Sequence, residues 1–322
     1  MLRCLEDEIV CQTGAQRMVI PQPPWQRWLN RRLGQGTRYG PLRRFIPKRS
    51  LEGLQSVDVL WHVLMGPENY TLDFFSNWAI NAKHRVVYLF DTLPIQMNLL
   101  RRLFSGDEWS VRFTSFNDAI PLLAEQTGRS WQHADQAVSL KYFQPAPLAE
   151  RVIGFSAYGR RHPKVHEAVS QFCVAKGLYY DYTTHGRSHP TAEPLQLLKQ
   201  FAWHLCHSRF TFCWPVEITN PDRAGSLSPI TCRWFEAAAA GAVVLGQPPT
   251  NPHFREVFGD NCVTPIDPNA SVEEIIAQLD QVWQNRNELS ERAMAIRRRM
   301  GVELDWSTRV RQMLNFLEQD DL

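Results

Sequence analysis

The stretch from Ser228 to Gly259, SPITCRWFEAAAAGAVVLGQPPTNPHFREVFG, gathers side chains able to handle an anion. Ser228, Pro229 and Thr231 stand where a loop enters a helix. Unbonded backbone N–H groups and the positive end of the helix dipole face outward there, which suits a phosphate. Arg233 falls in the first turn and adds a fork of donors for the same anion. Glu236 follows on the same face, where it can accept from ligand hydroxyls. The alternative is a surface pair with Arg233 worth under about 1 kcal/mol. Four alanines, Ala237 to Ala240, and then Gly241 let this helix pack closely and so fix the position of its amino end.

Further candidates sit where apolar runs end. Tyr158, Gly159 and Arg160 close RVIGFSAYG, and Trp214, Pro215 and Glu217 follow FTFC. Around Trp214 a planar ligand could lie against an aromatic ring. Arg160 also reads as a solvated loop cation beside Arg161. Asp91 ends RVVYLF and can orient a hydroxyl or act as a general base, or cap the segment after Pro94. His62, inside DVLWHVLMG, reads from its position as a core histidine.

The elements that must position these residues follow from periodicity. From Asp58 onward, DVLWHVLMG reads as a buried strand, TLDFFSNWAINA as a helix and RVVYLFDTLP as a second strand, which is a parallel βαβ unit. A short helix over 95–104, a strand WSVRFTSF, a helix NDAIPLLAEQTG capped by Asn117 and a last strand DQAVSL complete the first half. Pro145 and Pro147 then mark a linker. The second half repeats the rhythm: strands at RVIGFSAYG, LYYDYTT, FTFCWP, AVVLG and CVTPID alternate with helices, and Ser271 with Glu274 caps a long helix. The expected fold class is α/β, with two doubly wound, Rossmann-like units facing each other across a cleft.

Composition sets the outer limits. The 322 residues, 44% of them hydrophobic, can bury two cores, and a formal net charge of +2 argues against a nucleic-acid coat. Seven cysteines without a CxxC pair, and ten histidines without ligand spacing, predict reduced core thiols, no metal and no cofactor. No apolar run is long enough to span a bilayer, and the amino end lacks a signal-peptide pattern, so a soluble, cytoplasmic protein is expected. One local cluster stands out: nine cations and no Asp or Glu lie between Arg17 and Arg49. With Trp25 and Trp28, this arm could dock peripherally on an anionic membrane, or remain solvated.

FEAAAAGAVVLG and FREVFGDNCVTPID, in that order and spacing, resemble the signature of the group 1 (family 4-like) glycosyltransferases of GT-B fold. DVLWHVLMG, VVYLFDTLP and AVSLKYFQP resemble the family's first strands and its crossover between domains, and DWSTRVRQMLNFL its closing helix. The resemblance covers about residues 58–317 and is nearest to the spore-maturation-protein-like subset. It implies an acceptor-side domain over 1–148, including the basic arm 17–49, a nucleotide-sugar domain over 149–303, and a helix over 304–322 that crosses back.

The same resemblance implies sugar transfer from a nucleoside diphosphate sugar to a hydroxyl, with retention and without metal. Arg233, Ser228 and Thr231 would neutralise the diphosphate, and Glu236 would bind the ribose. Tyr158, Gly159 and Arg160 would approach the phosphates, with Asp91 and His62 on the acceptor side. Where the family has the first of two glutamates, this chain has Ser228, so Glu217 becomes the candidate replacement. At the second strand's end Phe90-Asp91 stands for the usual His-Asp. The acceptor is left open among glycan, lipid-linked and protein classes. A non-catalytic nucleotide- or glycan-binding scaffold is the first alternative. Nucleic-acid binding through the arm is the second, and has the least support.

Overall fold

The computed structural model describes residues 2–18, 56–70, 72, 75, 78–79, 81–183 and 193–319. Beyond Met18, the basic arm and its docking surface lie outside these residues, as does half of the segment 71–82; its described half is not the expected α-helix, since Trp78 and Ala79 form a turn and Ala82 already begins a strand. Arg17, at the arm's start, pairs with Asp7 at 2.6 Å and Glu6 at 3.2 Å.

Among the described residues nine strands form two parallel sheets. The first contains β1 (Val57–Leu64), β2 (Ala82–Leu89), β3 (Val111–Thr114) and β4 (Gln132–His133), in sequential order. Its helices are α1 (Leu2–Thr13), α2 (Met97–Phe104) and α3 (Ile120–Thr127). Strict alternation along β2 serves two cores: Val87 and Leu89 join Leu100 and Phe104 on one face, while Val86, Tyr88 and Phe90 join Leu5 and Ile9 on the other.

The second sheet contains β5 (Ile153–Ala157), β6 (Tyr180–Tyr182), β7 (Ser208–Cys213), β8 (Val243–Gly246) and β9 (Val263–Pro265), ordered β6-β5-β7-β8-β9. Strand order therefore reverses between β5 and β7, and their carboxyl ends open the crevice where α/β proteins bind ligands. Its helices are α4 (Pro163–Lys176), α5 (Pro194–Cys206), α6 (Val216–Thr219), α7 (Pro221–Ala224), α8 (Cys232–Ala240), α9 (Pro252–Phe258), α10 (Val272–Gln284) and α11 (Arg286–Met300).

After α11 the chain returns to the first sheet. Val138 N–H donates to Leu304 O and Trp306 N–H to Val138 O. On α12 (Trp306–Gln319), Trp306 is fully buried edge-on to Tyr88 and Phe90.

Two further local expectations need correction. DQAVSL is not a strand: pairing ends at His133, and only Val138 makes an isolated bridge, to Asp305. Asn117 does not cap a helix, because Phe116 holds that position and the Asn117 Oδ1 accepts from Asn251 Nδ2 at 2.6 Å. The helix opened by the Ser271–Glu274 capping box forms as expected, over Val272–Gln284. The cysteines are all free, with Cys4, Cys173, Cys206 and Cys213 buried and Cys11 exposed.

At the end of β8, Gly246 has φ +135°, and a Cβ there would lie 2.2 Å from the Cys213 carbonyl oxygen. Gly246→Ala is therefore expected to destabilise the protein by about 1–3 kcal/mol through overpacking. Chemical denaturation of the two proteins under matched conditions checks this, and equal midpoints would contradict it.

Candidate active site

Helix α8 is set up by opposite treatment of its two ends. At the carboxyl end, Arg151 donates to the carbonyls of Ala240 and Gly241, and Arg297 to that of Ala239. These cations satisfy carbonyls that have no intrahelical partner and oppose the negative end of the dipole. At the amino end, Thr231 is the N-cap residue, its side chain makes no capping bond, and its buried Oγ1 lacks a hydrogen-bond partner.

Arg233 extends from the first turn and binds Glu236 at 2.5 Å, with its guanidinium 4.7 Å from the Phe201 ring centre. Burial works against the Arg233 cation, but the Glu236 carboxylate outweighs it and raises the pKa. Glu236 is only 4% exposed, and burial raises its pKa against the pull of Arg233.

Gly159, with φ +87° just after β5, approaches this arginine: a Cβ there would lie 3.5 Å from Arg233 Nε. Its N–H donates to Thr183 Oγ1 at 3.0 Å. Tyr158 is buried, and its hydroxyl donates to Asp181 at 2.7 Å. Arg160 reaches the Trp214 carbonyl at 3.4 Å, and its Nε is buried without a hydrogen-bond partner. Burial lowers the Arg160 pKa, with Asp91 and Cys232 among the neighbours opposing that shift. Asp91, just past β2, is thus brought from the first sheet towards the arginines of the second.

Ser228 is occupied by protein contacts. Its N–H donates to Asp118 Oδ2 at 2.8 Å, its hydroxyl donates to Glu217, and the same oxygen accepts from Thr250 N–H at 2.8 Å. The residue therefore ties the loop before α8 to the first sheet's side. The second Glu217 oxygen, Oε2, is buried with no hydrogen-bond partner, so the glutamate from α6 stands beside the position where the resemblance lacks one. Pro215 is buried and forms the N-cap position of α6.

Two expected site residues take other roles. Trp214 is 4% exposed in the core of the second sheet beside Phe212, so its ring presents no open face to a ligand. His62 stacks against Trp109 and contacts Tyr70, and burial lowers its pKa to about 4. It pairs in register with Val87, four residues before Asp91, so it lies within the sheet rather than at its edge.

Contacts that sequence periodicity does not reveal close the space between the sheets: Asp118 to Ser228, Asn117 to Asn251, and Pro94 beneath Gly225. At another junction His133, Asp135 and His253 place ligand-type atoms within 4.8 Å of one another. An apolar cavity lined by Trp234, Ala238, Phe254 and Phe258 also touches α8, but includes none of the polar residues described above.

Taken together, Thr231, Arg233, Gly159 and Arg160 form a cationic, donor-rich corner at the switch point of the second sheet. Such a corner suits a polyanion; Asp91 neighbours it, and Glu217 is joined to Ser228 in the loop that leads into α8.

Comparison with known proteins gives the same direction. A family model described as glycosyl transferase-like matches residues 146–315. No match is found among curated proteins. Similar solved structures include a glycosyltransferase from Rickettsia africae, 11% identical, at a TM-score of 0.51 over 96% of this chain and 86% of that one. The pneumococcal O-GlcNAc transferase GtfA, solved with UDP and GlcNAc, is 11% identical at 0.51, over 86% of this chain and 59% of its own. Sucrose-phosphate synthase from Thermosynechococcus elongatus is 10% identical at 0.50, over 81% and 73%. At these identities the likeness shows the fold, which is GT-B.

Proposed function

The chain belongs to the glycosyl transferase-like family, and we propose that it transfers a sugar from a nucleoside diphosphate sugar to a hydroxyl acceptor. The observation that carries this reading is the approach of Gly159 to Arg233 at the amino end of α8, at the point where strand order reverses. In this reading Arg233, Arg160 and the free N–H groups after Thr231 receive the diphosphate. As the glycosidic bond breaks, the departing oxygen gains negative charge, and these fixed donors stabilise it. The arginines and the helix dipole do this without a metal at the phosphates. Glu236 holds Arg233 and takes the ribose, and Asp91 orients the acceptor hydroxyl. Retention of anomeric configuration is part of the proposal and follows the family resemblance.

Glu217 takes the donor-sugar contact that Ser228 cannot make. Its buried Oε2 without a hydrogen-bond partner supports this. Glu217→Ala is expected to lower kcat/KM about 10–100-fold, the worth of one hydrogen bond to a charged group. Affinity for the nucleoside diphosphate alone should stay unchanged, and unchanged turnover would contradict this role.

Binding and hydrolysis assays with uridine, guanosine and adenosine diphosphate sugars test the activity. Saturable binding with slow hydrolysis of one donor supports an enzyme. Binding with neither hydrolysis nor transfer to any hydroxyl acceptor identifies a scaffold, and absence of binding to all three overturns the reading.

Among the described residues no helix is long and apolar enough to cross a membrane.

A further inference from the structure

His133 ends β4 and Asp135 follows two residues later, whereas His253 is the second residue of α9. The three residues therefore reach one point from opposite sheets. Asp135 is 7% exposed, and a buried carboxylate requires partners. Its Oδ1 lies 3.2 Å from His133 Nε2 and its Oδ2 3.0 Å from His253 Nε2. The two imidazole rings stand nearly perpendicular, at 85°, with centroids 4.8 Å apart.

Two features go beyond simple ion pairing. First, His133 Nε2 is buried and makes no hydrogen bond despite its nearness to Asp135, so its lone pair or proton is unsatisfied. Second, the other nitrogen of His253, Nδ1, meets Glu256 Oε2 at 2.9 Å. A carboxylate on the far nitrogen fixes the tautomer of a metal-binding histidine and aims the near nitrogen's lone pair at the ion.

We propose that His133 Nε2, His253 Nε2 and the Asp135 carboxylate bind one first-row divalent cation, zinc(II) by preference, which pins the two sheets together. Two imidazoles and a carboxylate suit zinc, which binds such ligands at about 2.0–2.2 Å; tetrahedral ligand atoms then lie roughly 3.3 Å apart. The two separations to Asp135 already match that edge, and a water supplies the fourth ligand. The ion replaces the proton that His253 holds against Asp135, and that proton is released to solvent. Arg309, 3.9 Å from the Asp135 Oδ2, steadies the carboxylate from behind. The pin is separate from the arginines proposed to hold the diphosphate, so it acts on the relation of the two sheets and not on the leaving group.

The test uses the full chain after chelator treatment, titrated with cobalt(II) and then zinc(II). One cobalt(II) per chain, with the intense visible bands of low coordination number, is expected, and zinc(II) should displace it and raise Tm. His133→Gln is expected to abolish the bands and the Tm response. Glu256→Gln alters an exposed side chain and leaves all three ligands in place; it should weaken the metal about 10–100-fold. Absence of the bands in the wild-type protein, or equal binding by wild type and both variants, would overturn the proposal.

Discussion

Arg233→Ala is expected to lower kcat/KM by about 10²–10³-fold, the usual effect of removing one fixed donor from developing negative charge. The argument rests on position. Arg233 occupies the first turn of α8, is held by Glu236 at 2.5 Å, and lies against Gly159 at the end of β5. An arginine held on two sides loses little freedom on meeting a diphosphate, so its attraction is available as the bond breaks. Arg233→Lys should recover only part of the loss, because a single ammonium cannot both pair with Glu236 and fork to phosphate oxygens. Steady-state kinetics with the donor found by the hydrolysis assay checks both. Full activity in the alanine variant would remove Arg233 from the reaction.

The second large effect falls on stability. Arg151 is 4% exposed and donates to four carbonyls, those of Ala146, Ser208, Ala240 and Gly241. Burial lowers its pKa to about 10, so it remains cationic near neutrality. It joins the linker, the start of β7 and the carboxyl end of α8, and with Arg297 it fixes the helix whose other end forms the site. Arg151→Ala strands these carbonyls in a dry interior and is expected to cost about 3–5 kcal/mol. Equilibrium denaturation measures it, and a change below about 1 kcal/mol would contradict this account.

The second sheet was largely legible because its strands are short apolar runs separated by helices with clear stops. Gly177 and Gly241 end α4 and α8 with positive φ, and Ser271 with Glu274 opens α10. The first half was harder. DQAVSL has the composition of a strand, but its backbone pairs with the returning segment at Leu304 to Trp306 and leaves the sheet. That partner lies more than 160 residues away, where local periodicity carries no signal.

Of the site, the helix entrance and its arginine could be read from residue types and spacing. Trp214 could have been placed better: Phe210 and Phe212 share one face of β7 at period two, Trp214 continues that period just past its end, and that face is core. Ser228 and Glu217 could be named from their positions, but their direct bond depends on how the loop after β7 folds back. The His133–Asp135–His253 cluster was hidden for a simpler reason. Two ligands lie close together, but the third comes from the other sheet, so no sequence spacing announces it.

The central claim, that the amino end of α8 receives a diphosphate, is tested most directly by equilibrium binding of a nucleoside, its monophosphate and its diphosphate to the unmodified chain. Affinity is predicted to rise by tenfold or more from nucleoside to diphosphate, about 1.4 kcal/mol or more, and this gain should fall as salt is added. Equal affinity for all three would contradict the account.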